Sequence, residues 1–285
     1  MRLAIAASVV VVVLLGGCAG PAAPLEDESH EKVAAGSLDD ERAVLDPSVL
    51  VGTWRVSDAE GMEPDTWLRL DEEATVSFDC GNVGGTWTAR DDAFLAQWQW
   101  SEVGCDFGNH NPVPWLDEAA AYGMVDDSLV LLDADGKTVA TLTDDGVPPR
   151  AKTEPHDPFS GDVEMNERVR AAIRDSIPLP EQATPIESLA GRWVPSSGAG
   201  PTSAFVKFGE SGYTSSDGCN RSGGRWALGS SGSLLSTNIG TTFMACDDMY
   251  SIDGLIGAAV AVGMVGDELT FYGPDGTALG SLVRG

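Results

Sequence analysis

The sequence predicts a mainly β chain of the α+β kind: two small antiparallel β domains in tandem, each with one helix. Three observations predict it. Short runs rich in β-branched and aromatic residues, bounded by Gly, Pro or Ser, recur through residues 46–285, as half-buried strands do. The runs also repeat. Gly52-Thr53-Trp54 matches Gly191-Arg192-Trp193 at a spacing of 139 residues, as do Cys80 with Cys219 and Gly84-Gly85-Thr86-Trp87 with Gly223-Gly224-Arg225-Trp226. Met124 to Leu129 then matches Met264 to Leu269 at 140, Asp135-Gly136 matches Asp275-Gly276 at 140, and Cys105 corresponds to Cys246 at 141. An offset that drifts so little marks a duplicated unit, read as residues 46–146 and 185–285. Lastly, 42% hydrophobic content supplies enough apolar surface for real cores.

The N-terminus comes first. Met1-Arg2 is a short positive end, Leu3 to Leu15 is almost wholly apolar, and Gly16-Gly17-Cys18 follows. A positive start, an apolar run and small residues at a cut make a secretory signal peptide over residues 1–17. The run is too short for a bilayer span, which takes about 20 apolar residues. Leu15-Gly16-Gly17-Cys18 resembles the bacterial lipobox. That resemblance implies cleavage before Cys18 and diacylglycerol on its thiol. The expected address is the extracytoplasmic face of the cell membrane, held by lipid, because two acyl chains anchor stably where one does not. Residues 18–45, rich in Ala, Pro, Glu and Asp, read as a flexible acidic tether.

In the second copy, Arg192-Trp193-Val194, Ala204 to Phe208, Gly224 to Leu228 and Glu268 to Tyr272 read as strands. In the first, Trp98-Gln99-Trp100 alternates in the same way, and the Asp-Gly pairs mark hairpin turns. A helix is expected from Asp247-Asp248 through Leu255, Ile256, Ala259 and Val260, its acids suiting the positive end of the helix dipole. Residues 112–122 hold the matching place. Between the copies, residues 147–184 form a Pro-rich linker in which Met165, Val169, Ala172, Ile173 and Ile177 recur at helical spacing. A short amphipathic helix capping a domain or filling the interface is the expectation.

A formal net charge of −27, from 44 acidic and 17 basic residues, argues against nucleic acid and anionic headgroups, which select basic patches. Five cysteines suit an exported compartment. With Cys18 set aside, Cys80, Cys105, Cys219 and Cys246 allow three pairings.

The second copy resembles the META/HslJ domain family. The residues that carry the likeness are Leu189-Ala190-Gly191-Arg192-Trp193, then Asp217-Gly218-Cys219-Asn220 with Gly223-Gly224-Arg225-Trp226, then Thr242-Phe243-Met244-Ala245-Cys246. The first copy is divergent: Asp79-Cys80-Gly81-Asn82 stands for the Gly-Cys-Asn element and Val103-Gly104-Cys105 for Met-Ala-Cys. The resemblance implies a small β-barrel-like fold with one packed helix, in envelope lipoproteins linked to stress, and brings no catalytic mechanism. With the symmetry of the duplication it implies the bridges Cys80–Cys105 and Cys219–Cys246, each stabilising its domain by roughly 3 kcal/mol.

Catalytic patterns are missing from the sequence. His30, His110 and His156 have no counterparts in the other copy, and neither a Gly-x-Ser-x-Gly elbow nor a phosphate loop occurs. Asp133-Ala134-Asp135-Gly136 starts like a calcium loop, but Thr138 and Asp144 stand where Gly and Glu are required. Trp54, Trp193, Trp87 and Trp226 recur at matched positions and read as core. Trp67, Trp98, Trp100 and Trp115, unique to the first copy, could line an aromatic groove. The expectation is a non-enzymatic protein with no cofactor and no metal. It would be joined to the membrane by its diacylglyceryl cysteine and bind an envelope protein or a small apolar ligand through the loop of Asn220, Arg221 and Met244. A hydrolase or other enzyme with an unrecognised acidic site would need acids matched between the copies, and Asp127 with Asp267 is the clear match. A purely structural envelope spacer would need no concave apolar site.

Overall fold

Eight antiparallel strands close a barrel in the first half of the chain. The computed structural model describes residues 45–285 apart from 64, 105–110, 112, 153–156, 197–200, 202, 239, 243, 247 and 248 and the side chains of 100, 102 and 103. The signal peptide, Cys18, the tether up to residue 44 and the three histidines lie outside the described residues. Barrel one runs β1 (Gly52–Ser57), β2 (Trp67–Leu70), β3 (Ala74–Phe78), β4 (Gly81–Arg90), β5 (Ala93–Val103), β6 (Ala121–Val125), β7 (Ser128–Leu132) and β8 (Thr138–Thr143), with β8 pairing back onto β1. Helix α1 (Pro114–Glu118) lies between β5 and β6, and α2 (Glu167–Ala172) lies in the linker. The second half comprises β9 (Gly191–Pro195), β10 (Phe205–Phe208), β11 (Gly212–Ser216), β12 (Arg221–Leu228), β13 (Leu234–Ser236), β14 (Gly240–Thr241), α3 (Ile252–Ala258), β15 (Ala261–Val265), β16 (Glu268–Tyr272) and β17 (Ala278–Arg284). Its strands neighbour one another in the order β13-β12-β11-β10-β9-β17-β16-β15, and β14 also pairs with β12.

Both sheets are barrel-like, and each has a narrow seam at the matching place. β5 meets β6 at the single pair Ala93–Ala121, and a single bridge, Ser233–Ala261, joins the ends of the second sheet. Details recur on both sides. The Trp54 indole donates to the Leu50 carbonyl and the Trp193 indole to that of Leu189, both at 2.8 Å. A β-bulge falls between Leu131 and Leu132 and again between Phe271 and Tyr272. The matched glycines have a steric cause. A Cβ on Gly85 would sit 1.9 Å from the Gln97 carbonyl oxygen, and one on Gly224 1.8 Å from that of Thr237. At both places a neighbouring backbone occupies the space of a side chain.

Alternation along the strands fills two cores. Leu68, Leu70, Val76, Phe78, Trp87, Phe94 and Trp115 belong to the first, and Trp193, Val206, Phe208, Trp226, Leu269 and Phe271 to the second. β2 and β3 are buried on both faces, where alternation would leave one face wet. The linker is the reason. Ala151 and Phe159 pack on Trp67, Arg69 donates to the Gly161 and Asp162 carbonyls, and Arg150 reaches Asp157, Ser77 and Asn82. Trp67 is buried under the linker and Trp115 in the core of barrel one, so they line no open groove. Helix α2 takes up less of the periodic stretch than expected. It ends at Ala172, Met165 is exposed before it, and Ile177 packs with Ala183, Ala261 and Tyr272 beyond it.

The other two helices are short as well. α1 covers only Pro114–Glu118, with Tyr122 already in β6. α3 begins at Ile252; Ala259 caps it, Val260 donates its N–H to the Tyr272 carbonyl instead, and Asp247 and Asp248 lie outside the described residues. In both, a strand begins at the third residue after the helix.

The outer faces of β5 and of β12–β13 pack together through Ala93, Leu95, Ala227 and Leu235. An arginine from each barrel crosses to the other one's seam. Arg90 donates through Nη1 to the carbonyls of Leu234 (2.8 Å) and Val260 (3.2 Å). Arg225 donates to the Ala96 carbonyl (2.6 Å), the Asp117 carboxylate (3.1 Å) and the Asp117 carbonyl. Only 5% of Arg90 and 8% of Arg225 is exposed. Asp91 accepts hydroxyl protons from Ser231 and Ser233, and Asp92 accepts the Ser230 N–H. A buried cation is tolerated where oxygen acceptors meet its N–H groups; the Arg90 Nε is buried without a hydrogen-bond partner among the described residues.

Candidate functional site

Asn220 organises the loop that follows β14. Just before β12, Asp217 makes a local turn, its Oδ1 accepting the N–H groups of Cys219 (2.7 Å) and Asn220 (2.5 Å). Burial raises the Asp217 pKa, but those N–H groups and the Asn220 amide outweigh it and hold the carboxyl below its ordinary value. Asn220 is buried. Its Oδ1 accepts the Met244 N–H (2.6 Å) and the Thr242 hydroxyl (3.2 Å), and its Nδ2 donates to the Met244 carbonyl (3.1 Å) and, at 3.8 Å, to the Met249 sulfur. The Cys219–Cys246 disulfide closes the same contact covalently. Cys80 is disulfide-bonded too, and Cys105 lies outside the described residues.

Of the three residues expected at this loop, Asn220 and Met244 meet. Arg221 joins them through its backbone, whose N–H donates to Thr242 Oγ1 (3.0 Å). Because its polar atoms are taken up by its own chain, Asn220 positions the loop rather than facing a ligand. What it presents is apolar: Met244 is 57% exposed and Met249 47%. Beyond them Tyr250, Leu255, Ala258 and Leu279 line a cleft of 320 Å³, with Leu279 exposed at its lip. Met249 and Leu279 escaped sequence reasoning, since nothing in the pattern separates an exposed methionine or leucine from a core one. Tyr213 props the strand beneath. Burial and then Asp253 push its pKa up to about 12, so its hydroxyl stays a donor to the Thr237 carbonyl (3.0 Å).

The acids go elsewhere. Asp127 and Asp267 stand in matched hairpin turns, β6–β7 and β15–β16. The Asp133 carboxylate accepts the N–H groups of Asp135 and Lys137, as a hairpin turn requires. Asp71, Glu72, Glu73, Asp162 and Glu164 surround a crevice of 360 Å³ beside Arg69; Asp71 is taken by Arg69, and Glu72 by Arg168 and Asn166. Among the described residues there is no group of three or more His, Cys, Asp or Glu placed to hold a metal ion, and no helix is long and apolar enough to cross a membrane. No family model, curated protein or solved structure matches the chain.

Proposed function

We propose that this chain is a lipid-anchored protein of the extracytoplasmic membrane face, built of two META/HslJ-like barrels, which binds a protein partner and catalyses no reaction. The surface of Met244 and Met249 carries the reading. Two large apolar side chains stand in solvent on a loop braced by a buried asparagine and a disulfide. Exposed methionines are adaptable contact surface, and bracing lowers the entropy lost on binding. The lipobox-like Leu15-Gly16-Gly17-Cys18 supports the anchor. The Gly-Cys-Asn and Met-Ala-Cys elements, which the Cys219–Cys246 bridge ties together, support the family likeness.

Site-specific photo-crosslinking from Met249 in intact cells tests the partner. A discrete adduct should form and should be lost with Met244→Ser while the protein stays folded; an adduct indifferent to Met244 overturns the reading. For the anchor, Cys18→Ala should abolish acyl labelling and move the protein out of the membrane fraction. Retention there without acyl label overturns it.

A further inference from the structure

A second concave site of barrel two shares no residue with the methionine loop. Ile186, Trp193, Met264, Asp267, Val283 and Arg284 line a cleft of 540 Å³, within the size range of small-molecule sites. β9 supplies Trp193, β17 supplies Val283 and Arg284, and the β15–β16 hairpin supplies Met264 and Asp267. The open floor is therefore aliphatic and thioether, with the buried Trp193 indole behind Arg284. The two polar residues have opposite charge.

Arg284 is held in place. Its Nη1 donates to the Ala190 carbonyl at 2.7 Å, and its guanidinium carbon lies 3.9 Å from the centroid of the Trp193 ring. A guanidinium carries five N–H donors, and the others of Arg284 have no acceptor among the described residues. The Asp267 carboxylate accepts no hydrogen bond there either, and the two residues make no ion pair with each other although they face one cleft. The duplication isolates the feature. Pro47, Thr143 and Asp144 stand at the positions of Ile186, Val283 and Arg284, so the first copy would present two carboxylates.

We infer that this cleft binds a zwitterionic ligand with an apolar body, a hydrophobic amino acid or short peptide, its carboxylate on Arg284 and its ammonium on Asp267. A lone anion of the same shape would meet Asp267 and the field of a chain with net charge −27, and a lone cation would meet Arg284. A ligand carrying both charges satisfies both walls while its side chains cover the apolar floor.

Isothermal titration of the full-length protein in detergent with leucyl-leucine tests this. One equivalent should bind. N-acetyl-leucyl-leucine and leucyl-leucinamide, which each lack one charge, should bind about fivefold more weakly or worse, the range of a partly exposed charged contact, and glycyl-glycine weaker still. Arg284→Gln should erase the preference for the free carboxylate and leave that for the free amine; Asp267→Asn should do the reverse. Absence of leucyl-leucine binding at millimolar concentration, equal binding of the blocked dipeptides, or preferences unmoved by the two substitutions overturns the assignment. The outcome is independent of Met244 and Met249.

Discussion

Barrel one and barrel two follow the same strand path and differ in how the hairpin at the seam is used. In the first, β4 and β5 stay paired from Arg90–Ala93 to Gly81–Val103. In the second, β13 leaves β12 after Trp226–Ser236, and only the two-residue β14 returns to it. The chain that follows β14 carries Met244, Cys246 and Met249. The asparagines of the two Cys-Asn elements diverge accordingly. Asn82 accepts Arg150 of the linker, whereas Asn220 accepts the backbone of its own loop. The lesson is one of accounting for polar groups: a buried asparagine must be satisfied, and whichever segment satisfies it is fixed at that spot. In barrel one that segment is the linker, which covers the outer face. In barrel two it is a loop with apolar side chains left in solvent.

The largest expected effect would show whether the barrels are sterically equivalent. Gly85→Ala and Gly224→Ala each force a Cβ onto a backbone carbonyl and should each cost about 4 kcal/mol or more, measured by chemical denaturation. Tolerance of either one breaks the equivalence. Next comes the crossing of the seams. Arg225→Met leaves the Asp117 carboxylate beside an unsatisfied Ala96 carbonyl and should cost about 3 kcal/mol. Arg90→Met removes bonds to carbonyls alone and should cost less, about 1–2 kcal/mol. An inverted order would mean that the Arg90 contacts dominate the interface. Asn220→Ala should cost about 2 kcal/mol and raise amide exchange from Thr242 to Tyr250, and Arg150→Ala should do so from Asp157 to Gly161. If the asparagine change loosens no loop, the clamp described here is absent.

The smallest effect is electrostatic and falls on the interface. Burial opposes ionisation of Asp91, but the hydroxyls of Ser176, Ser231 and Ser233 and the Arg90 charge outweigh it and hold the carboxyl below its ordinary value. A carboxylate whose folded pKa is depressed adds stability above its unfolded pKa of about 3.9 and loses it as pH falls through the folded value. Below about pH 4 the wild type should therefore lose more stability than Asp91→Asn. Asp117, raised by burial more than Arg225 lowers it, acts in the opposite sense, so the wild type should lose stability relative to Asp117→Asn as pH rises above about 4. Parallel titration curves for the two variants would contradict both assignments.

Much of the fold was legible from residue types. Trp193, Phe208 and Phe271 mark strands because β-branched and aromatic runs between Gly and Pro fit a pleated, half-buried surface, and the Asp-Gly turns fell where expected. Helix ends were misjudged because apolar residues continue past Ala259 into β15 and past Ala119 into β6; periodicity alone does not show where a helix hands over to a buried strand. The candidate loop was located through Asn220 and Met244, but the role of Asn220 as an internal clamp is a matter of hydrogen-bond partners. Arg90 and Arg225 were unreadable in kind, since an arginine at an outward strand position looks like any solvated side chain.

By itself the sequence determined the β character, the 139–140-residue repeat, the turn positions and the pattern at Cys18. These rest on local chemistry: which backbone angles a residue tolerates and which face it can bury. Only the tertiary structure decided that the linker covers β2 and β3, that two arginines cross the seams, that Met244 and Met249 stand exposed, and that Asp267 and Arg284 share one cleft. Those facts depend on which distant backbone groups come within hydrogen-bond reach, and spacing along the chain carries no trace of that.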